Sequence, residues 1–391
     1  MGTGKITEKR TEEQRRAEAL ALLKHILDIP SVNGKDREQE TAVYLAEYLK
    51  RKGMETRVQL IDEHHGNVIG VLKGKTEETI LFNGHLDTVP YGDINEWNTN
   101  PAVCTEQDGR LYARGASDMK SGLAVMAFVL GELAESGCVP QKTIVFAGTC
   151  DEERGGLGAK EIIKEYPDLF PELLLIGEPT SCQAGVAQKG CIWLKLSVSG
   201  KTSHGAEPWQ GINALEQGFG LLADLREELK REEHPVLGRS TLQITMAEGG
   251  IAPNMTPDRA KFLADIRIVP PLNEKEVLNR LECLMQKRCE VYNGGLAFVP
   301  EITNYRMPAE TGPENQWLHR LKGFIGDDAG ETGINYFTDA SILLTAWPDS
   351  PALLFGPGEP QMCHKPNEYV EISKYFEAIR VMEKFCWYIA K

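Results

Sequence analysis

A histidine and an aspartate stand two positions apart at the end of an apolar stretch. The segment Thr79–Pro90 reads Thr-Ile-Leu-Phe-Asn-Gly-His-Leu-Asp-Thr-Val-Pro and carries them as His85 and Asp87. Residues i and i+2 of an extended chain face the same side, so the imidazole and the carboxylate lie next to each other. A carboxylate in that position commonly orients a metal-binding histidine. The alternative is a His–Asp hydrogen bond that only shapes a loop.

Carboxylates also follow a second apolar stretch. Thr143–Gly148 predicts a buried strand that leads into Asp151, Glu152 and Glu153 and then into a pair of glycines. Three neighbouring carboxylates repel one another unless a cation or a shared proton relieves the charge. The pattern therefore indicates a cation site, and a solvated turn is the alternative.

Single residues add further candidate ligands. Asp118 lies in a Gly-flanked loop before an apolar helix at Leu123–Leu133, where a helix N-cap is its alternative role. Glu178 follows the apolar strand Leu173–Ile176, and His364 lies between a Gly-Pro-Gly loop and the last predicted helix. Because ligands of open α/β sheets bind outside the carboxyl ends of the strands, these side chains are expected to converge there. Imidazoles and carboxylates together suit a pair of borderline divalent ions such as zinc.

The elements that must position these residues follow an α/β pattern. Apolar residues at helical spacing predict helices at Thr11–Leu27 and Arg37–Lys52, and strands follow, among them Thr79–Asn83. The same pattern resumes near the C-terminus. We therefore expect residues 1–187 and 306–391 to form one discontinuous metal-binding domain.

A self-contained block interrupts this pattern at residues 188–305. Its predicted order is strand, helix, strand, strand, helix, strand, with the last helix at Glu274–Arg288 and the last strand at Glu290–Val299. This order is the plan of a ferredoxin-like domain. The block also contains polar residues suited to substrate contacts: His204, Asn254 and Arg267.

Composition excludes several classes of protein. The 391-residue chain has a formal net charge of −14, which argues against nucleic acid or an anionic membrane as a partner. Its apolar runs are far shorter than the about 20 residues that span a bilayer, and residues 1–16 lack the apolar core of a signal peptide. Nine scattered cysteines without a Cys-x-x-Cys motif do not indicate a disulfide framework. We expect a cytoplasmic protein with reduced thiols.

From about Leu20 to its end, the chain resembles the acetylornithine deacetylase / succinyl-diaminopimelate desuccinylase family of metallopeptidases, which also contains glutamate carboxypeptidases and aminoacylases. The matching segments are Gly84–Pro90, Arg114–Lys120, Asp151–Ala159, Gly177–Thr180, Ser203–Gly205 and His364–Glu368. The resemblance implies an α/β fold in which a zinc-exopeptidase-like catalytic domain with a central mixed sheet carries an inserted ferredoxin-like βαββαβ lid and dimerisation domain.

The resemblance also implies the metal ligands. His85 and Glu178 would hold one ion, Glu153 and His364 the other, and Asp118 would bridge the two. The ions would be two Zn²⁺, which Co²⁺ can replace. One departure from the family pattern is Cys363, where a small residue is expected next to the ligand histidine.

Roles in catalysis and substrate binding follow from the same resemblance. Asp87 would orient His85, Glu152 would act as general base on a metal-bridged water, and His204 would polarise the scissile carbonyl. The remaining implied residues contact the substrate: Asn254, Arg267, Gly356 and Gly358. The peptide bond between Asp118 and Met119 is expected to be cis.

The activity implied is metal-dependent hydrolysis of the amide bond of an N-acyl-L-amino acid, of the deacetylase or desuccinylase type. Glu178, rather than an aspartate, favours the deacylase branch. The alternative is a carboxypeptidase or dipeptidase that acts on a short peptide at the same site. A catalytically silent binding protein is disfavoured, since Glu152 and all the ligands are present. The resemblance further implies a homodimer joined through residues 188–305.

Overall fold

The computed structural model describes residues 10–326 and 329–391, so the first residues of the charged N-terminal segment lie outside the described part. Its helices are α1 (Glu12–Leu27), α2 (Gln39–Lys52), α3 (Lys120–Glu135), α4 (Leu157–Glu165), α5 (Ala214–Leu229), α6 (Glu274–Val291), α7 (Gln316–Ile325), α8 (Ala340–Ala346) and α9 (Ile372–Ile389). Among the described residues, no helix is both long and apolar enough to cross a membrane.

Short and long strands alternate with these helices. They are β1 (Glu55–Leu60), β2 (Gly66–Leu72), β3 (Thr79–His85), β4 (Thr105–Gln107), β5 (Arg110–Tyr112), β6 (Thr143–Thr149), β7 (Pro171–Ile176), β8 (Ala184–Gln188), β9 (Gly190–Ser199), β10 (Glu233–His234), β11 (Gly238–Arg239), β12 (Thr241–Gly249), β13 (Arg259–Ile268), β14 (Ala297–Arg306), β15 (Ala309–Glu310), β16 (Glu331–Ile334), β17 (Ala352–Leu354) and β18 (Tyr369–Glu371).

The described chain divides into two compact units. The first contains the described residues of 1–186, 311–331 and 346–391, and the second contains 187–310 and 332–345. All five candidate metal ligands belong to the first unit. His204, Asn254 and Arg267 belong to the second.

A mixed sheet forms the centre of the first unit, with the strand order β1-β2-β6-β3-β7-β17-β8. Strand β3 runs parallel to both β6 and β7, and β17 runs parallel to β7. The side chains of β3 are buried along its whole length, as expected for a central parallel strand. Because β3, β6 and β7 run in the same direction, the residues that follow their carboxyl ends meet at one edge of the sheet.

Helix α3 brings another segment to this edge. It is apolar around its circumference and almost entirely buried, and it packs against α1, α2 and α9. Its N-cap residue is Met119, which makes no side-chain capping bond, so Asp118 is not the cap. The residues before it come from β5, which pairs with β4 through a turn in which Asp108 and Gly109 both have positive φ.

The second unit has a sheet in the order β12-β13-β9-β14, with neighbouring strands antiparallel. Helices α5 and α6 pack against this sheet and bury its apolar residues, among them Leu196 and Phe262, against apolar residues of the helices such as Leu221. The order of the six long elements, β9-α5-β12-β13-α6-β14, is the ferredoxin-like order predicted from the sequence.

The last strand of this unit was predicted in the wrong place. Glu290 and Val291 still belong to α6, and β14 begins only at Ala297. Asn293 and Gly294 have φ values of 47° and 83°, so the chain turns there after the helix has ended. The prediction of a strand at Glu290–Val299 ran across this Asn-Gly-Gly turn.

Candidate metal centre

His85 is the last residue of β3, and its side chain is almost completely buried. Its Nδ1 lies 2.9 Å from the main-chain oxygen of Asp87. On the other side of the ring, Nε2 lies 3.2 Å from Oδ1 of Asp118 and 4.0 Å from Oε1 of Glu178. A proton on Nδ1 that is donated to the Asp87 carbonyl leaves the Nε2 lone pair directed at the carboxylates, which is the tautomer that a metal ligand needs.

The carboxylate of Asp87 has a different set of partners from the one expected. Its Oδ1 is 3.8 Å from Nδ1 of His85, so the main chain of Asp87 is the closer partner of the ring. Its oxygens instead accept the main-chain N–H groups of Glu152 and Glu153, each at 3.1 Å. The side chain of Asn33 donates to the same carboxylate at 2.9 Å. Asp87 therefore fixes the loop that carries both glutamates.

A second group of ligands forms around His364. Its Nε2 lies 3.0 Å from Oε2 of Glu153 and 3.4 Å from Oδ2 of Asp118. In each of the groups His85–Asp118–Glu178 and Asp118–Glu153–His364, one ligand atom per residue lies within 4.8 Å of the others. Asp118 belongs to both groups and faces the two histidines with different oxygens, as a bridging carboxylate does. The Asp118–Met119 peptide bond is cis, as predicted.

The charges of the site fit divalent cations. Hydrogen bonds to Asp118 and Glu153 raise the pKa of His364 to about 10. Burial alone would lower the pKa of His85, but its bond to Asp118 and the nearby carboxylates raise it well above its ordinary value. Protons on the two rings therefore offset the carboxylates in the metal-free protein. Oε1 of Glu153 is buried and accepts no hydrogen bond from the described residues. A cation would satisfy this oxygen and displace the protons.

Glu152 lies outside both ligand groups. It is 7% exposed, and its main chain is held by Asp87 next to that of Glu153. A buried carboxylate beside a metal site that does not itself ligate is suited to proton transfer.

The structure adds a residue that sequence reasoning missed. Glu38, the N-cap residue of α2, makes no side-chain capping bond and is completely buried. Its Oε2 accepts the N–H of Asp151 at 2.8 Å. This bond helps to hold the acidic loop, which consists of Asp151, Glu152 and Glu153, in place. Burial and then the charge of Asp87 raise the pKa of Glu38 to about 9. An acid at the start of a helix looks like an ordinary helix-dipole partner, so the sequence contains no signal for this role.

The glycines predicted to bind substrate have a packing role in the first unit. A Cβ atom at Gly356 would lie 2.6 Å from the main-chain oxygen of Glu178, and one at Gly358 would lie 2.3 Å from that of Ser117. Any side chain there would displace the loops that carry the ligands. Cys363 belongs to neither ligand group, and its Sγ lies 3.9 Å from the main-chain oxygen of Glu359.

Two of the predicted residues in the second unit lie close together. The main chain of His204 pairs with that of Met255, and the N–H of Gly205 donates to the oxygen of Asn254 at 2.8 Å. His204 is exposed.

Arg267 has a partner that was not predicted from the sequence. Its Nε and Nη2 donate to the two carboxylate oxygens of Asp265 at 2.7 and 3.1 Å. This bidentate pair occupies one edge of the planar guanidinium.

Solved structures with the same fold include several peptidases. Aminopeptidase PepT from Bacillus cereus aligns with a TM-score of 0.76 and 19% identity over 96% of this chain and 99% of its own. An M20 family metallo-carboxypeptidase from Sulfolobus solfataricus aligns with a TM-score of 0.72 and 19% identity over 94% of this chain and 98% of its own. A dinuclear metal-binding M20 peptidase from Bacillus subtilis gives a TM-score of 0.72 at 12% identity, over 97% and 99% of the two chains.

The sequence comparisons identify the family, whereas the structural comparisons show only the fold. An acetylornithine deacetylase from Shigella sonnei (strain Ss046) is 30% identical over 361 residues, which are 88% of this chain and 90% of the relative. Residues 81–388, which contain every candidate ligand, match the profile of Peptidase family M20/M25/M40. The chain is therefore a metallohydrolase that belongs to peptidase family M20/M25/M40.

Proposed function

We propose that this protein hydrolyses N-acyl-L-amino acids in the manner of a deacetylase, with two Zn²⁺ ions at the candidate metal centre. The main support is the acidic loop. There the carboxylate of Asp87 holds the main chains of Glu152 and Glu153, and of these two glutamates only Glu153 belongs to a ligand group. The 30% identity to an acetylornithine deacetylase supports the choice of substrate class.

The chemistry divides between the ions and the protein. When bound, a pair of zinc ions polarises the scissile carbonyl and lowers the pKa of the attacking water. Glu152 removes a proton from that water and delivers it to the leaving nitrogen. His85, Asp118, Glu153, Glu178 and His364 hold the ions. The buried position of Glu152 shields the transferred proton from bulk water.

Residues of the second unit complete the proposed site. His204 donates a hydrogen bond to the carbonyl oxygen as negative charge develops on it. Asn254, whose loop is paired with that of His204, binds the carboxylate of the substrate. Arg267 binds it through Nη1, which takes no part in the pair with Asp265.

We further propose a homodimer joined through the second unit, in which His204 serves the metal centre of the other subunit. Support comes from the surface around its loop. Ile251 and Met255 are 85% and 37% exposed and line one surface cleft, and Trp209 is 75% exposed. A patch of exposed apolar side chains, unlike a single one, is typical of a surface that a partner covers.

The test is a substrate panel on zinc-loaded and cobalt-loaded protein. We expect turnover of N-acetyl-L-ornithine or another N-acyl-L-amino acid, such as N-succinyl-diaminopimelate or N-acetyl-L-methionine. The control is Glu152→Gln, which should remove all turnover that belongs to this site. Turnover of dipeptides alone would overturn the deacetylase proposal.

The second candidate is a carboxypeptidase or dipeptidase at the same metal centre. Proteins with the same fold include a metallo-carboxypeptidase and human carnosine dipeptidase 1. Their identities, 19% in each case, support the fold rather than the substrate. Kinetics with matched N-acetyl and dipeptide forms of one amino acid decide between the two, because the form with the larger kcat/KM identifies the branch.

A further inference from the structure

Two of the candidate ligands, Asp118 and His364, come from distant parts of the first unit. Asp118 lies before α3, whereas His364 lies in the turn before β18. Asp118 can bridge two ions only if these two segments keep a fixed distance from each other. The side chain of His364 is 54% exposed, so burial does not hold its ring in position.

The turn that carries His364 is held in an uncommon conformation. His364 and Asn367 have φ values of 63° and 59°, in the left-handed region that non-glycine residues seldom adopt. Such conformations are strained and persist only where surrounding contacts enforce them. Contacts at the end of the turn must therefore decide where the imidazole points. The side chain of Asn367 bonds to the main chain of Glu96 and Asn98.

Glu368 supplies the contacts that reach the Asp118 loop. It is completely buried, and its Oε1 accepts the main-chain N–H groups of Ser117 at 2.8 Å and Asp118 at 3.0 Å. Its Oε2 accepts Nη1 of Arg114 at 2.7 Å. One carboxylate thus contacts three groups of the loop that ends in the bridging ligand.

The contacts of Glu368 link the segment before Asp118 to the segment after His364, and further hydrogen bonds reinforce this link. Arg114 also donates to the main-chain oxygen of Lys365 at 3.1 Å, and the N–H of Ala113 donates to that of Glu368 at 3.2 Å. Strand β5 pairs with β18 directly beyond this point, with Tyr112 opposite Tyr369. The segments before Asp118 and after His364 are therefore joined as one body, with the Glu368 carboxylate at its centre.

We propose that Glu368 is a positioning residue that sets the distance between Asp118 and His364 and thereby creates the second metal subsite, formed by Asp118, Glu153 and His364. The first subsite shares Asp118 with the second, but its other two ligands, His85 and Glu178, come from the ends of β3 and β7 rather than from the two linked segments. Loss of the Glu368 contacts should therefore weaken the two ions unequally. A residue that only stabilised the fold would weaken both alike.

Glu368→Gln is the sharpest variant because it keeps the size of the side chain. If the amide oxygen accepts from Ser117 and Asp118, the amide nitrogen faces Arg114, donor against donor. If the amide is turned over, the oxygen accepts from Arg114 and the nitrogen faces the two main-chain N–H groups. Either orientation breaks one side of the link.

The experiment is a chelator-competition titration of the metal-free full-length protein with Zn²⁺, which measures both dissociation constants without substrate. His364→Ala first identifies the binding step that belongs to the second subsite. We expect Glu368→Gln to weaken that step by about 10-fold or more, the usual effect of removing a residue that orients a ligand. The other step should change by less than about 3-fold.

The matched control is Glu371→Gln. Glu371 lies on β18, which begins directly after Glu368, and it pairs with Arg110 at 3.2 Å. It does not contact the Asp118 loop, so both steps should stay as in the wild type. Equal weakening of both steps by Glu368→Gln, or no weakening, overturns the proposal.

If Glu368→Gln does not fold, Arg114→Lys replaces it. This variant keeps a positive charge for Glu368 but removes the guanidinium contact to Lys365. The same selective weakening is expected, and equal loss of both ions again overturns the proposal. Because no substrate is present, failure of this test is distinct from failure of the proposed function.

Discussion

Replacing Glu152 with glutamine separates proton transfer from metal binding. The new amide side chain has the size of the old one and leaves the main-chain bond to Asp87 in place, but it cannot accept a proton. The ligand groups do not include Glu152, so both ions should remain. Loss of a general base costs about 10²–10⁴-fold in kcat, which corresponds to roughly 2.7–5.4 kcal/mol at 1.36 kcal/mol for each factor of ten.

The assay compares release of free amine from the best N-acyl-L-amino acid with metal content measured by mass spectrometry on the same sample. For Glu152→Gln we expect a kcat at least 100-fold lower, with two equivalents of zinc and a KM close to that of the wild type. Glu153→Gln is the matched comparison. Oε2 of Glu153 lies 3.0 Å from Nε2 of His364, so this neighbour should lose one ion as well as activity.

Two results would each contradict these roles. If Glu152→Gln lost a zinc equivalent while Glu153→Gln kept both, the roles of the two glutamates would be reversed. Retention of more than a tenth of the wild-type kcat by Glu152→Gln would mean that another group accepts the proton.

Three other predictions follow from the charges and the two units. The raised pKa values of His85 and His364 keep both rings protonated in the metal-free protein, so zinc binding must release protons. The zinc affinity should therefore fall as pH falls from 8 to 6. A zinc affinity independent of pH would contradict this. In the folded protein the pKa of Glu38 is raised from 4.5 to about 9, so the free energy of unfolding falls progressively as pH rises through that range. Glu38→Gln should therefore raise the Tm of the metal-free protein more at pH 8 than at pH 5. An equal shift in Tm at the two pH values would contradict this. His204→Ala should lower kcat about 100-fold or more, and mixing it with Glu152→Ala should restore part of the activity in heterodimers. No recovery after confirmed subunit exchange would show that His204 acts within its own chain or not at all.

The approach of the candidate ligands to one another could be predicted because it depends on local patterns. His85, Glu153 and Glu178 each lie at or just after the end of an apolar strand, and β3, β6 and β7 are parallel, so their ends meet. Such strands are visible as apolar runs, and their ends are marked by glycine or by a charge. His364 follows no such strand. Its position between a Gly-Pro-Gly loop and a predicted helix made it a candidate, and its family motif supported that assignment.

The supporting contacts could not be predicted, because they join residues far apart in the chain. Glu38 reaches Asp151, and Glu368 reaches Ser117 and Asp118, across separations that no local pattern encodes. The role of Asp87 was predicted only in outline. Its main chain rather than its carboxylate is the closer partner of the histidine ring, and this depends on the path of a loop.

The pair of Arg267 with Asp265 was also missed, although the two residues are i and i+2 on one strand and hence on the same face. Here the signal was present in the sequence. The alternation of β13 places the carboxylate of Asp265 beside the guanidinium of Arg267. This should have qualified the expectation that the whole guanidinium is available to the substrate.

In the proposed dinuclear centre, Asp118 bridges the two ions. Anomalous diffraction at the zinc edge from crystals of the zinc-loaded protein would locate them. We expect two peaks roughly 3.5–4 Å apart. One should lie against His85 and Glu178, the other against Glu153 and His364, and the two oxygens of Asp118 should contact one peak each. A single peak, or two peaks that do not share Asp118, would contradict it.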